Sequence, residues 1–215
     1  MVTSRDGDRE VSAMAGTVIM VFARAPVPGQ CKTRLIPALG AQGAADLHEK
    51  LVRRSLAVAC EAMPAAVQLW CAPDTSHPFF AGCARDFPIS LCTQNGADLG
   101  ERMFHAFEHA FNTYEKALLM GSDVPEIDAG YLSAAAAALD PAPAVFGPAE
   151  DGGYVLVGLK KTSREIFEKI DWGGPQVMAQ TRERLIGIGW QAAELATLWD
   201  LDRPEDLARL IAFPP

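Results

Sequence analysis

Short apolar runs alternate with longer amphipathic ones along this chain, and that alternation is what most limits its fold. Runs of strand character lie at residues 17–23, 66–71, 89–92, 117–120, 144–146 and 154–159. Between them, residues 42–63, 99–114, 131–139, 163–169 and 175–186 carry helical spacing, and 202–211 closes the series with Pro204 at an N1-like position and Asp202 or Arg203 near the cap. In 42–63, Leu47, Leu51, Leu56 and Ala59 share one face, with His48, Glu49, Arg53 and Arg54 elsewhere. Strands alternating with helices of this length predict βα units in a three-layer α/β/α fold with a mainly parallel sheet. There is no internal repeat, linker or break in composition. The expectation is one domain over 17–215 behind a flexible tail at 1–16.

Charge and composition exclude several function classes. Hydrophobic residues make up 49% and charged residues 21%, an ordinary globular balance. A formal net charge of -8 argues against nucleic acid or an anionic membrane as partner. The first residues are polar and charged, which excludes a secretory signal, and no apolar run is long enough to span a bilayer. Five cysteines (Cys31, Cys60, Cys71, Cys83, Cys92), odd in number and without a C-x-x-C pair, read as reduced thiols in a cytoplasmic protein.

Ligands of such sheets bind outside the carboxyl ends of the strands, and four stretches there carry unusual chemistry. "FARAPVPGQCKTRL" (Phe22 to Leu35) follows the first strand. Its Arg24, Lys32 and Arg34 stand out in an acidic chain, and Gly29 removes bulk. A lysine point charge and an arginine fork suit a polyphosphate, although the spacing is not that of a P-loop. A plain solvated loop is the alternative. "LLMGSDVPEI" (Leu118 to Ile127) runs an apolar strand into Gly121, Ser122 and Asp123. A carboxylate there suits Mg²⁺ or Mn²⁺; helix capping falls to Asp128, which is closer to the next helix. "GPAEDGGYVLVGL" (Gly147 to Leu159) combines a Gly152-Gly153 turn with Asp151 displayed toward a substrate. "LWDLDRPEDL" (Leu198 to Leu207) leaves Asp200 or Asp202 free for a metal once an acidic first helical turn is accounted for.

Weaker signals complete the inventory. "QNGADLGERM" (Gln94 to Met103) is either a base- or ribose-binding entry to a helix, through Gly96, Asp98 and Arg102, or a well-capped helix. His105 and His109 at i,i+4 with Glu101 invite a zinc reading but have no fourth ligand, so a solvated face is preferred. No G-x-S-x-G stretch is present.

The ordered set of motifs resembles the nucleotide-diphospho-sugar transferase superfamily, with its GT-A fold. Within it, the set looks like the bacterial DUF2064-like family labelled radical-SAM/selenodomain-associated transferase 1 or glycosyltransferase A. That family is similar to guanylyltransferases acting on 2-phospholactate or phosphoenolpyruvate. The resemblance implies that Lys32 and Arg34 contact phosphate, that Asp123 binds Mg²⁺ or Mn²⁺, and that Asp202 is the second metal carboxylate, with Asp200 as its rival. The implied donor-binding set is Arg24, Gly29, Lys32, Arg34, Gly96, Asp98, Arg102 and Ser122; the catalytic set is Lys32, Arg34 and Asp151. The first loop departs from the L-x-G-G-x-G-x-R signature, and "WGGPQV" stands where the family has a Thr near Gly174.

The expected activity is metal-dependent nucleotidyl transfer from a nucleoside triphosphate to a small phosphorylated acceptor. Glycosyl transfer from a nucleotide sugar is the alternative, and a non-catalytic nucleotide-binding module is a third reading. An early basic loop, and an Asp123 that stands alone rather than in an Asp-x-Asp pair, favour the first. A homodimer is admitted but not required.

Overall fold

The computed structural model describes residues 15–63 and 66–212. Seven strands, β1 (Ala15–Arg24), β2 (Val67–Ala72), β3 (Ser90–Thr93), β4 (Tyr114–Gly121), β5 (Ala144–Pro148), β6 (Tyr154–Leu159) and β7 (Ala192–Glu194), form one sheet in the order β3-β2-β1-β4-β6-β5-β7. All neighbours pair in parallel except β6, which runs antiparallel to both β4 and β5. Five helices cover its faces: α1 (Ile36–Ala62), α2 (Pro78–Asp86), α3 (Leu99–Ala110), α4 (Ala129–Ala138) and α5 (Val177–Gly187). The expected three-layer, mainly parallel architecture is therefore present.

The alternation of β1 explains the layering. Ile19, Val21 and Ala23 point to one face, where they meet Val52 and Leu56 of α1, Phe79 and Phe80 of α2, and Leu132 and Ala135 of α4. Val18, Met20 and Phe22 point to the other face, against Met103, Phe104 and Phe107 of α3 and Met178 and Leu185 of α5. A strand buried on both sides is continuously apolar in sequence, and each large side chain so buried stabilises the fold by about 1.5–3 kcal/mol.

A third, smaller cluster matters more for function. Leu35, Ala44, Leu47 and Leu51 beside and along α1 enclose Trp199 and Leu201. It pins the segment after β7 across the carboxyl end of the sheet.

Several elements differ from the expectation. β1 begins at Ala15, two residues inside the expected tail, and residues 1–14 lie outside the described ones. The expected helix over 42–63 starts earlier, at Ile36, with a kink at Gly40. The expected helix over 99–114 ends at Ala110 because Tyr114 opens β4. The stretches expected as helices at 163–169 and 202–211 are 3-10 turns, at Arg164–Ile166 and Pro204–Ala212. Neither α2 nor β7 was expected. Among the described residues, no helix is long and apolar enough to cross a membrane.

Candidate functional site

The chain leaves β1 for β2 on one side and returns to β4 on the other, so the sheet's topological switch point lies between β1 and β4. A crevice opens at such a point, beyond the strand ends. The parallel register aligns Phe22 with Gly121, bringing the loop after β1 beside Gly121-Ser122-Asp123. The loop turns through Gly29 (φ 83) and then Lys32, a non-glycine residue in the left-handed region (φ 47), before a 3-10 turn at Thr33–Leu35 leads into α1. That uncommon backbone turns the Lys32 side chain inward, where it is only 5% exposed.

The segment after Leu198 is fixed by backbone and packing together. Leu201 N–H donates to the Asp123 carbonyl (2.8 Å) and Lys32 Nζ donates to the Leu201 carbonyl. Trp199 and Leu201 are buried while Asp200 and Asp202 are partly exposed, the alternation of an extended chain. Asp200 faces one cleft and Asp202 another.

The first cleft, about 730 Å³, is lined by Arg24, Lys32, Arg34, Arg102, Asp123 and Asp202 among others. Two ion pairs lie within it. Lys32 Nζ stands 3.0 Å from Asp123 Oδ1, and Arg34 pairs with Asp202. Burial pushes the Asp123 carboxyl upward, but Lys32, His48 and hydrogen bonds outweigh it and hold the group below its ordinary value. The Asp123 side chain is nevertheless 42% exposed toward the cleft. Gly96, Asp98 and Arg102 lie at the same cleft or its margin. Asp98 caps α3, accepting from Glu101 N–H (2.8 Å), while Glu101 accepts from Ala97 N–H (2.8 Å) and Arg102 Nε donates to the Gly96 carbonyl (3.2 Å). The capped-helix reading of this stretch therefore holds, and the cap borders the cleft.

The second cleft, about 290 Å³, shares Asp123 and is walled by Leu99, Met103, Tyr154 and Trp172, with Asp151 and Asp200 at its rim. The Gly152-Gly153 turn connects β5 to β6 as a hairpin, and Asp151 accepts from Gly153 N–H (2.8 Å). Gly152 (φ 91) is required twice over, by its backbone angle and because a Cβ would collide with the Pro175 carbonyl. Burial pushes the Asp200 carboxyl up to about 6, and the charges of Asp151, Asp123 and Asp202 add to that push.

Among the described residues, no three Asp, Glu, His or Cys side chains already converge as a metal cage. Two features nevertheless fit a hard cation. Asp123 Oδ1 is buried without a hydrogen-bond partner, although Lys32 Nζ stands 3.0 Å away. Carboxylates also crowd one another around Asp200. Oxygen donors of this kind suit Mg²⁺ or Mn²⁺.

Other sequence candidates resolve simply. Asp128 caps α4, accepting from Tyr131 N–H (2.7 Å), which frees Asp123 from that duty. Asp206, rather than Asp202, caps the terminal 3-10 turn, accepting from Arg203 N–H (2.7 Å). His105 contacts the Asn95 carbonyl (3.0 Å) and His109 packs edge-on against Trp70, so neither is a ligand in waiting. Cys31 is a buried filler whose thiol burial pushes up. Sequence reasoning missed His48, Gln94 and Trp172. His48 falls four residues after Ala44 and four before Val52, both buried; helical spacing alone would have placed it inward.

No curated protein matches this chain. Among solved structures, 4-diphosphocytidyl-2C-methyl-D-erythritol synthase from Anaerococcus prevotii superposes with a TM-score of 0.62 at 8% identity, covering 93% of this chain and 98% of that one. Glucosyl-3-phosphoglycerate synthase from Mycobacterium tuberculosis, solved with Mg²⁺ and uridine diphosphate, superposes with a TM-score of 0.55 at 9% identity, covering 90% and 74%. These two share the GT-A-like fold. A candidate nucleotide-diphospho-sugar transferase from Desulfovibrio desulfuricans is much nearer: TM-score 0.80, 31% identity, 88% of this chain and 84% of that one. Residues 51–174 match the family described as "Uncharacterized protein conserved in bacteria (DUF2064)". With more than half its length matched and that relative alongside, the chain belongs to the DUF2064 family, on a nucleotide-diphospho-sugar transferase fold.

Proposed function

We propose that the protein is a metal-dependent nucleotidyltransferase, moving a nucleotidyl group from a nucleoside triphosphate to a small phosphorylated acceptor. The observation that carries this reading is the first cleft, which four basic side chains line together with Asp123 at the switch point. In this chemistry an acceptor phosphate oxygen attacks the α-phosphorus, the bond to the bridging oxygen breaks, and pyrophosphate leaves. Catalysis is then alignment and charge neutralisation. Arg24 and Arg102 contact the donor along the cleft wall. Arg34, 62% exposed, releases Asp202 to take a phosphate, and Lys32 offers the protons not used on the Leu201 carbonyl. Asp123, with Asp202 or Asp200, would hold a divalent ion, whose charge would offset that of the phosphates. The acceptor enters the second cleft, and Asp151 meets it there.

Glycosyl transfer is the second reading. Its support is the aromatic wall of that second cleft, since Tyr154 and Trp172 offer a surface on which a sugar ring packs, together with the Desulfovibrio relative. The two reactions release different products. Purified protein with each nucleoside triphosphate, Mg²⁺ or Mn²⁺ and a panel of phosphorylated acceptors is expected to release pyrophosphate. Release of a nucleoside diphosphate from a nucleotide sugar instead selects glycosyl transfer, and neither product under any combination contradicts both.

A further inference from the structure

His48 of α1 lies beneath the candidate metal carboxylate, and none of the motifs includes it. It is only 4% exposed. Its Nε2 stands 3.0 Å from the Arg24 carbonyl; a carbonyl only accepts, so this nitrogen carries the proton and donates. In the neutral ring Nδ1 then presents its lone pair. That lone pair faces Asp123 Oδ1 at 3.8 Å, and both atoms are buried without a hydrogen-bond partner. Nδ1 and Oδ1 thus form a buried pair that a positive charge must bridge, whether a proton on the ring or a cation between the two atoms. Lys32 Nζ, 3.0 Å from Asp123 Oδ1, relieves the carboxylate but does not bond the imidazole.

A histidine that donates one ring N–H to a backbone carbonyl, with the other nitrogen bare and aimed at a carboxylate, is arranged as metal-binding histidines are. We propose that His48 Nδ1 is, with Asp123, a direct ligand of the divalent ion, so that this site selects a nitrogen-accepting metal such as Mn²⁺ over Mg²⁺. This rests on the metal assigned to Asp123 above. Imidazole is a good ligand for first-row transition ions, whereas Mg²⁺ prefers oxygen and water. The remaining positions go to water and donor phosphate oxygens. On binding, the Lys32 ammonium gives up Asp123 and keeps Leu201.

Electron paramagnetic resonance of protein-bound Mn²⁺ tests the coordination without any turnover. The wild-type protein is expected to show ¹⁴N hyperfine modulation that disappears in His48→Ala. Titration is expected to show Mn²⁺ affinity falling by roughly 10–100-fold in that variant, with Mg²⁺ affinity little changed. His48→Gln keeps most of the volume, and loss of the nitrogen signal from Mn²⁺ still bound to that variant, with its thermal melt unchanged, separates lost ligation from a folding defect. Mn²⁺ bound with equal affinity in wild type and both variants, and with no ¹⁴N coupling, overturns this inference while leaving a metal on Asp123. No Mn²⁺ binding by the wild type, even with a nucleoside triphosphate present, overturns both.

Discussion

The two clefts share Asp123 but match their charges in opposite ways. In the first, two acids meet two bases, Lys32 with Asp123 and Arg34 with Asp202, and Arg24 and Arg102 add positive charge. In the second, Asp151 and Asp200 stand against Tyr154 and Trp172, and among the described residues neither takes part in an ion pair. An anionic donor with its metal can enter the first cleft by exchange, phosphate taking the cations and the ion taking the carboxylates. The second cleft sets two carboxylates without ion pairs against apolar walls, which suits an acceptor brought in beside a cation. The contrast fits a donor side and an acceptor side meeting at one carboxylate.

The largest expected effect comes from that shared residue. Asp123→Asn keeps the shape and removes the charge, and is expected to lower turnover by about 10²–10³-fold, as loss of one preorganised charge-stabilising group does. A steady-state rate at saturating donor checks it; a rate within threefold of wild type breaks the two-cleft account. Next comes the turn that displays Asp151. Gly152→Ala faces both a φ of 91 and collision with the Pro175 carbonyl, so the urea midpoint is expected to drop by the equivalent of about 2–3 kcal/mol.

Asp200 gives a pH test in metal-free buffer. Its folded-state pKa, about 6, lies above the ordinary 3.8, so the folded protein favours the protonated form. The associated stability is fully present below pH 3.8 and lost as pH rises through about 6. Asp200→Asn is therefore expected to stabilise the protein at pH 8 by about 1–2 kcal/mol, allowing for partial solvent screening, and to change little near pH 3.8. Thermal melts at both pH values read the difference. The smallest effect belongs to Arg34→Ala. Its exposed pair with Asp202 contributes little to stability, so the melting curve is expected to stay in place while triphosphate affinity weakens severalfold.

Much of this was legible in the sequence, for identifiable reasons. β6 appears where its Tyr-Val-Leu-Val-Gly-Leu run was expected because a strand buried between neighbours is nearly all apolar. β7 escaped notice because Ala192–Glu194 is three residues long and becomes a strand only by pairing with β5. α2 was hidden by its brevity and by Gly82 at its centre. The motif residues fall around the carboxyl ends of the strands, which local pattern and fold class together disclosed. Their partners did not show: Lys32 meets Leu201 from 169 positions away, and no local spacing encodes such a contact. His48 was obscured by its polar neighbours Glu49 and Lys50, although Ala44, Leu51 and Val52 mark the inward face.

The measurement that bears most directly on the central claim is a thermal-shift panel of the wild-type protein and Asp123→Asn. It uses four nucleoside triphosphates and several nucleotide sugars, each with Mg²⁺, Mn²⁺ or a chelator. A ligand that binds only the folded state at a hundredfold excess over its dissociation constant stabilises by about 2.7 kcal/mol. The account predicts a metal-dependent shift with at least one triphosphate, absent in Asp123→Asn. No shift with any nucleotide, with or without metal, would contradict it.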